Sequence, residues 1–80
     1  MVTIKINTEN AAFHDDQGKP STHAQTLEVA RILRKLVHKL EAGLTAGTHI
    51  YGDTLLDING NRVGSFEMDL PEGGEGDAQA

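Results

Sequence analysis

The residues best suited to binding a metal ion are His14, Asp15 and Asp16, which follow one another in a polar stretch. Imidazole and carboxylate groups bind divalent metals, and two more histidines further along the chain could approach them. However, no two histidines have the spacing of a helical ligand pair, and the sequence contains no cysteine. The stretch ends in Gly18-Lys19-Pro20-Ser21, which is typical of a loop. We therefore interpret it as a solvated loop and predict no metal site.

Asp57, Asn59 and Asn61 alternate along the chain as the first ligands of a calcium-binding loop do. Such a loop needs glycine at its sixth position and a bidentate glutamate at its twelfth, which here are Arg62 and Met68. Asn59-Gly60 is instead a strong indication of a tight primed hairpin turn, because both central residues of that turn need positive φ. The segment is predicted to be a hairpin turn.

The sequence shows no arrangement typical of a catalytic or cofactor site. No serine lies in the turn context of a nucleophile. The glycines at 73–76 lie in an acidic segment that would repel phosphate. We predict that the protein is not an enzyme and that it has no catalytic residues and no cofactor.

One coherent group of charged residues remains, and it is basic. It could bind an acidic protein or the backbone of a nucleic acid. No aromatic residues alternate with these bases, so stacking on single-stranded bases is not supported. Two other interpretations stay open: a solvated helix face, or a face covered by the acidic C-terminal segment. The group consists of Arg31, Arg34, Lys35, His38 and Lys39.

The stretch at 26–43, which carries these bases, repeats its apolar residues with the period of an α-helix. Gly43 is predicted to be the left-handed C-cap, and a serine or threonine at 21, 22 or 26 is predicted to be the N-cap. The helix side that carries the bases, which also includes Glu28, is predicted to face solvent. The opposite side is predicted to be buried and consists of Val29, Ile32, Leu33, Leu36, Val37 and Leu40, continued by Leu44.

Three strands accompany the helix in the order β-α-β-β. Residues 2–7 alternate apolar and polar residues, which predicts a half-buried strand, and residues 54–70 are predicted to form a hairpin. The predicted class is α+β, with one amphipathic helix packed on a three-stranded, mainly antiparallel sheet. Either the second or the third strand could lie in the middle, and the sequence does not choose between them.

The sheet face away from the helix is predicted to stay open. Alternation assigns Leu55 and Val63 to this face, among polar residues that include Asp57. Two apolar side chains there could be tolerated on the surface. Alternatively, the face is partly covered, and we then expect a homodimer that packs sheet to sheet or edge to edge.

Eighty residues make one domain, predicted at 1–71, with a disordered acidic tail at 72–80. The formal net charge is −5, and no base follows Arg62, so the negative charge lies mainly near the C-terminus. The N-terminal residues lack the apolar core of a signal peptide, and no apolar run approaches membrane-spanning length. We expect a cytoplasmic protein with no membrane association.

Three segments occur together that resemble a group of small uncharacterised proteins from proteobacterial phages and other mobile elements. They are INTENAAF at 6–13, EVARILRKLVHKLEAG at 28–43 and DINGNRVGSFEM at 57–68. The resemblance implies a phage or bacterial origin and an accessory role, and it brings no catalytic residues. We therefore expect a non-enzymatic binding protein that contacts an unidentified protein partner or forms a homodimer. Weak nucleic-acid binding through the basic residues is the alternative.

Overall fold

The structure, a computed structural model, describes residues 1–69 as one long helix, a short 3₁₀ helix and three strands. The antiparallel sheet has the order β1-β3-β2, so the third strand is the central one. This confirms the predicted α+β class and resolves the strand order. The elements are β1 (Val2–Ile6), the 3₁₀ helix (Ala11–Phe13), α1 (Thr22–Ala46), β2 (Gly52–Leu56) and β3 (Arg62–Met68).

The helix α1 is longer than predicted at both ends. Ser21 is the N-cap, because its hydroxyl oxygen accepts a hydrogen bond from the Ala24 N–H at 3.2 Å. At the other end the left-handed C-cap is Gly47, with φ of +74°, and not Gly43. Gly43 lies inside the helix, where a Cβ would be 2.8 Å from the Thr48 carbonyl oxygen. This glycine therefore lets the chain turn back closely over the end of α1.

The hydrophobic core lies between α1 and the sheet and includes Phe13 from the 3₁₀ helix. The apolar side of α1 is only partly covered. Ile32 and Leu36 are buried, whereas Val37 and Leu44 are exposed. A three-stranded sheet is too narrow to cover the whole apolar side of this helix. The other buried hydrophobic residues are Leu55, Val63 and Phe66.

Leu55 and Val63 do not line the open sheet face, which corrects the prediction. They are only 4% and 6% exposed, respectively. Leu55 pairs with Gly64, but the register between β2 and β3 then shifts by one residue, so that Val63 is an extra residue in β3. Such a bulge interrupts the alternation of side chains between the two faces. Val63 can therefore be buried together with Phe66, although the two residues are an odd number of positions apart.

Parts of the prediction lie outside the described residues, namely the end of the hairpin at Leu70 and the acidic tail at 72–80. In residues 1–69, no helix combines the length and the apolar character that crossing a membrane requires.

Candidate partner-binding surface

The loop between β2 and β3 is not the predicted primed turn. The Gly60 N–H donates to the Asp57 carbonyl oxygen at 3.0 Å, and the Asp57 N–H donates to the Asn61 carbonyl oxygen at 2.9 Å. Gly60 has φ of +85°, but no residue other than glycine has positive φ in the described part of the chain. Asn59 therefore lacks the conformation that a primed turn needs. The loop is a three-residue connection that ends in a left-handed glycine.

The side chain of Asp57 holds this loop in shape. Its Oδ1 accepts hydrogen bonds from the backbone N–H groups of Asn59 and Asn61 at 2.9 and 2.8 Å. Its Oδ2 accepts from the side-chain amides of Asn10 at 3.1 Å and Asn61 at 3.3 Å. Asp57 is thus 4% exposed but well supplied with hydrogen-bond donors. Burial alone would raise the pKa of its carboxyl group, but these hydrogen bonds outweigh that effect and lower the pKa.

Glu28, which was predicted to face solvent, is only 6% exposed and joins α1 to the same loop. Its two carboxylate oxygens accept from Nε and Nη2 of Arg31, each at 2.9 Å. Its Oε2 also accepts from the Ile58 backbone N–H at 2.8 Å, and Arg31 Nη2 donates to the Leu56 carbonyl oxygen at 3.3 Å. The hydrogen bond to Glu28 is the main reason that the pKa of Arg31 is raised, and the negative charges of Glu28 and Asp57 add to this effect.

Two of the predicted partner-binding bases are therefore engaged within the chain. Arg31 is paired with Glu28, and Lys39 Nζ lies 2.8 Å from Oδ2 of Asp53 in β2. Within residues 1–69, the remaining three bases make no ion pair and are exposed. These three, whose side chains stay available to a partner, are Arg34, Lys35 and His38. We call the five predicted bases together the basic face.

Three exposed apolar residues belong to the segments that meet where α1 contacts the β2–β3 loop. Leu27 lies one helical turn before Arg31, while Leu56 and Ile58 supply the backbone groups that bond to Arg31 and Glu28. The side chains of these three residues are exposed. We call Leu27, Leu56 and Ile58 the apolar rim. The apolar rim is not among the predicted surfaces, although the position of Leu27 outside the buried stripe of α1 could have indicated an exposed apolar residue.

Within residues 1–69, the acidic and histidine side chains do not converge on a metal-binding arrangement. In the part of the chain that the structure describes, no three His, Cys, Asp or Glu residues lie close enough to hold an ion together. Both carboxylate oxygens of Asp57 accept hydrogen bonds from nitrogen donors, so the loop that resembles a calcium site uses this residue to hold its own backbone.

Comparison with known proteins gives no match to this chain, whether with protein-family models, curated proteins or solved structures. The resemblance to mobile-element proteins therefore stays a prediction. The interpretation of the site depends on the geometry of the chain itself.

Proposed function

We propose that this protein is a small non-enzymatic binding protein that contacts an acidic protein partner through the basic face and the apolar rim. The observation that supports the proposal is that exposed apolar residues occur next to the Glu28–Arg31 pair in the chain contacts: Leu56 and Ile58 bond to this pair through their backbones, and Leu27 lies one helical turn before Arg31. Protein interfaces typically surround apolar contacts with a polar border and are enriched in arginine. A suitable partner would present apolar side chains flanked by aspartate or glutamate. The accessory role implied by the mobile-element resemblance fits such a protein.

Nucleic acid is the alternative partner, and the charge arrangement supports it less well. Arg31 and Lys39 are already paired with carboxylates, and the chain as a whole has a net charge of −5. A nucleic-acid surface draws most of its affinity from several bases that contact phosphates together. The apolar rim would also gain little from a phosphate backbone, whereas it would be buried against a protein.

The proposal can be tested by affinity capture from bacterial lysate with four forms of the protein as bait. Arg34→Glu/Lys35→Glu reverses exposed bases of the basic face without disturbing Arg31, and Ile58→Ser removes part of the apolar rim. Lys5→Glu/Lys19→Glu is the matched control, since it makes the same change in net charge at exposed positions away from the basic face and the apolar rim. We expect wild type and control to retain a partner that survives nuclease treatment. Each of the other two baits should retain about tenfold less, which corresponds to about 1.4 kcal/mol of binding free energy.

Two results would contradict the proposal. If nuclease removes the captured material and its binding falls steeply with added salt, the partner is a nucleic acid. If the control variant loses the partner to the same extent as Arg34→Glu/Lys35→Glu, the interaction depends on total charge and not on this surface.

A further inference from the structure

The free edge of β1 is the second surface without a partner in the described chain, and it differs from the free edge of β2. On β2 the helix-facing side carries Asp53, whose carboxylate is paired with Lys39, and a bulge interrupts the strand end. An inward-pointing charge and a bulge are both features that discourage another strand from pairing. β1 has neither within Val2–Ile6, and its one charged side chain, Lys5, points to the opposite face.

The backbone groups along this edge can be assigned from the hydrogen bonds at both ends of β1. The Asp69 N–H donates to the Met1 carbonyl oxygen, and the Asn7 N–H donates to the Val63 carbonyl oxygen. Because the two backbone groups of a residue in an antiparallel strand point the same way, the odd residues of β1 face β3. The N–H and C=O groups of Val2, Ile4 and Ile6 therefore point to the open edge.

The side chains of the same three residues form an apolar row on the helix side of the sheet. Ile4 pairs with the buried Phe66, which fixes its face, yet Val2 and Ile4 are exposed. The flank of α1 that bears Lys35 and Lys39 borders β2. By helical geometry, Val37 and Leu44 lie on the other flank, above β1, and both are exposed. The edge thus offers hydrogen-bonding groups and an uncovered apolar surface side by side.

We propose that β1 pairs with β1 of a second copy of this chain, forming a two-fold symmetric dimer with a continuous six-stranded sheet. Centring the antiparallel pair on Ile4 lets Val2, Ile4 and Ile6 exchange hydrogen bonds with Ile6, Ile4 and Val2 of the other copy. This register uses every outward-pointing group of β1. It also continues the apolar layer beneath both helices, which would cover the exposed side chains of both copies.

Charge on the outer face of the sheet favours a second copy in this register. Lys5 would stand opposite Thr3 of the other copy, and that Thr3 is itself paired with Glu67 within its own sheet. In this register Lys5 has an uncharged residue directly opposite it, and Glu67 lies on the strand beyond that residue. Shifting the centre of the pair to Lys5 would oppose two lysines directly, which destabilises a strand pair. The proposal does not depend on the acidic partner of the basic face.

The first test is the mass in solution, measured by light scattering from about 10 μM to about 1 mM, a range that covers weak and moderate dimers. We expect wild type to reach twice the chain mass of 8.6 kDa. Ile4→Lys should stay at one chain mass and keep the circular dichroism of wild type, because an edge lysine blocks pairing. Leu27→Lys, also exposed but on the solvent side of α1, about a quarter turn away from Val37 and Leu44, is the matched control and should remain dimeric. Wild type that stays monomeric throughout, or a folded Ile4→Lys that remains dimeric, would overturn the proposal.

Amide hydrogen exchange tests the same register without any substitution. The amides of Ile4 and Ile6 should exchange at least about tenfold more slowly as the concentration rises and the dimer forms. The amides of Thr3 and Lys5, which face β3, should be protected at every concentration. Fast exchange of Ile4 in a dimeric sample would show that another surface joins the two copies. Protection of Ile4 in a monomeric sample would show that the chain covers this edge itself, and either result would overturn the proposal.

Discussion

Glu28 is buried where α1 meets the β2–β3 loop, and it accepts three hydrogen bonds there. Replacing it with alanine would leave the Arg31 guanidinium without its carboxylate and the Ile58 N–H without its acceptor. We expect Glu28→Ala to lower the free energy of unfolding by about 1–3 kcal/mol. Urea denaturation measures this change. Glu41→Ala, at an exposed position of the same helix, is the control and should change the value by no more than about 0.5 kcal/mol.

Urea denaturation can also show whether Arg31 stabilises the fold or serves only to bind a partner. If Arg31 stabilises the fold, Glu28 and Arg31 should be energetically coupled in a double-mutant cycle on the free protein. If Glu28→Ala lowers the free energy of unfolding no more than Glu41→Ala does, the pair does not stabilise the fold. Arg31 would then count among the bases available to a partner. Residues without such a role, such as Arg34, are therefore better sites for testing partner binding.

Asp57 should make the stability of the protein depend on pH in the acidic range. Its pKa is lowered in the folded state by hydrogen bonds from Asn61, Asn10 and Asn59, which outweigh burial. The ionised carboxylate thus stabilises the fold above the pKa of unfolded aspartate, about 3.9, and this contribution is lost as the pH falls through the folded pKa. Thermal unfolding between about pH 7 and about pH 2 should show a smaller acid-induced fall for Asp57→Asn than for wild type. Equal falls in the two proteins would contradict this assignment.

The sequence could not predict that Glu28 and Asp57 are buried. A glutamate three residues before an arginine has the same spacing on a solvated helix face as in this pair, so the pattern carries no information on burial. Likewise, an Asx residue before Asn-Gly indicates a turn but does not specify its type. Both outcomes depend on how α1 and the β2–β3 loop meet, which is a long-range contact.

The pairing of β1 with β3 depends on Gly64. A Cβ at this position would overlap the carbonyl oxygen of Lys5, which belongs to the backbone of the neighbouring strand. The strands could separate only by breaking their hydrogen bonds. We therefore expect Gly64→Ala to lower the free energy of unfolding by at least about 3 kcal/mol in urea denaturation.

Gly60→Ala is the control for this prediction, because it adds backbone strain without a steric clash. The φ of +85° at Gly60 makes alanine unfavourable, but a Cβ there meets no atom within 4 Å. We expect Gly60→Ala to lower the free energy of unfolding by only about 1–2 kcal/mol. A cost for Gly64→Ala no greater than that for Gly60→Ala would show that the strands can adjust to the added methyl group.

The sequence predicts which segments are helix or strand better than it predicts where they end and which of their sides are buried. The periodic apolar residues predicted α1 and the alternating residues predicted β1, because each pattern is local. Their ends and faces depend on features that local patterns do not contain. The helix continues to Gly47 because residues 44–46 permit helix and nothing stops it at Gly43. The bulge moves Val63 from the predicted open face to the side of Phe66, and it exists only in the pairing of β2 with β3.

The chain combines a long helix with a sheet of only three strands, and within residues 1–69 apolar side chains stay exposed in two regions of interest. One is the apolar rim beside the basic face, and the other is the β1 edge beneath Val37 and Leu44. Eighty residues bury a modest core, so contacts with other chains can contribute a large share of the total stability. The basic face lies on the solvent side of α1 and toward β2, away from Val37 and Leu44, so a dimer through β1 would leave the basic face accessible.

If β1 joins two copies, the thermal stability of the protein should depend on its concentration. Unfolding of a dimer releases two chains, so each tenfold rise in concentration adds about 1.4 kcal/mol of free energy per dimer. The midpoint of thermal unfolding should therefore rise for wild type and for Leu27→Lys between about 10 μM and about 1 mM, measured by circular dichroism. It should stay constant for Ile4→Lys, which unfolds as a single chain. A constant midpoint for wild type would mean that folding is complete without a second copy, and a rising midpoint for Ile4→Lys would mean that the chains associate through a surface other than β1.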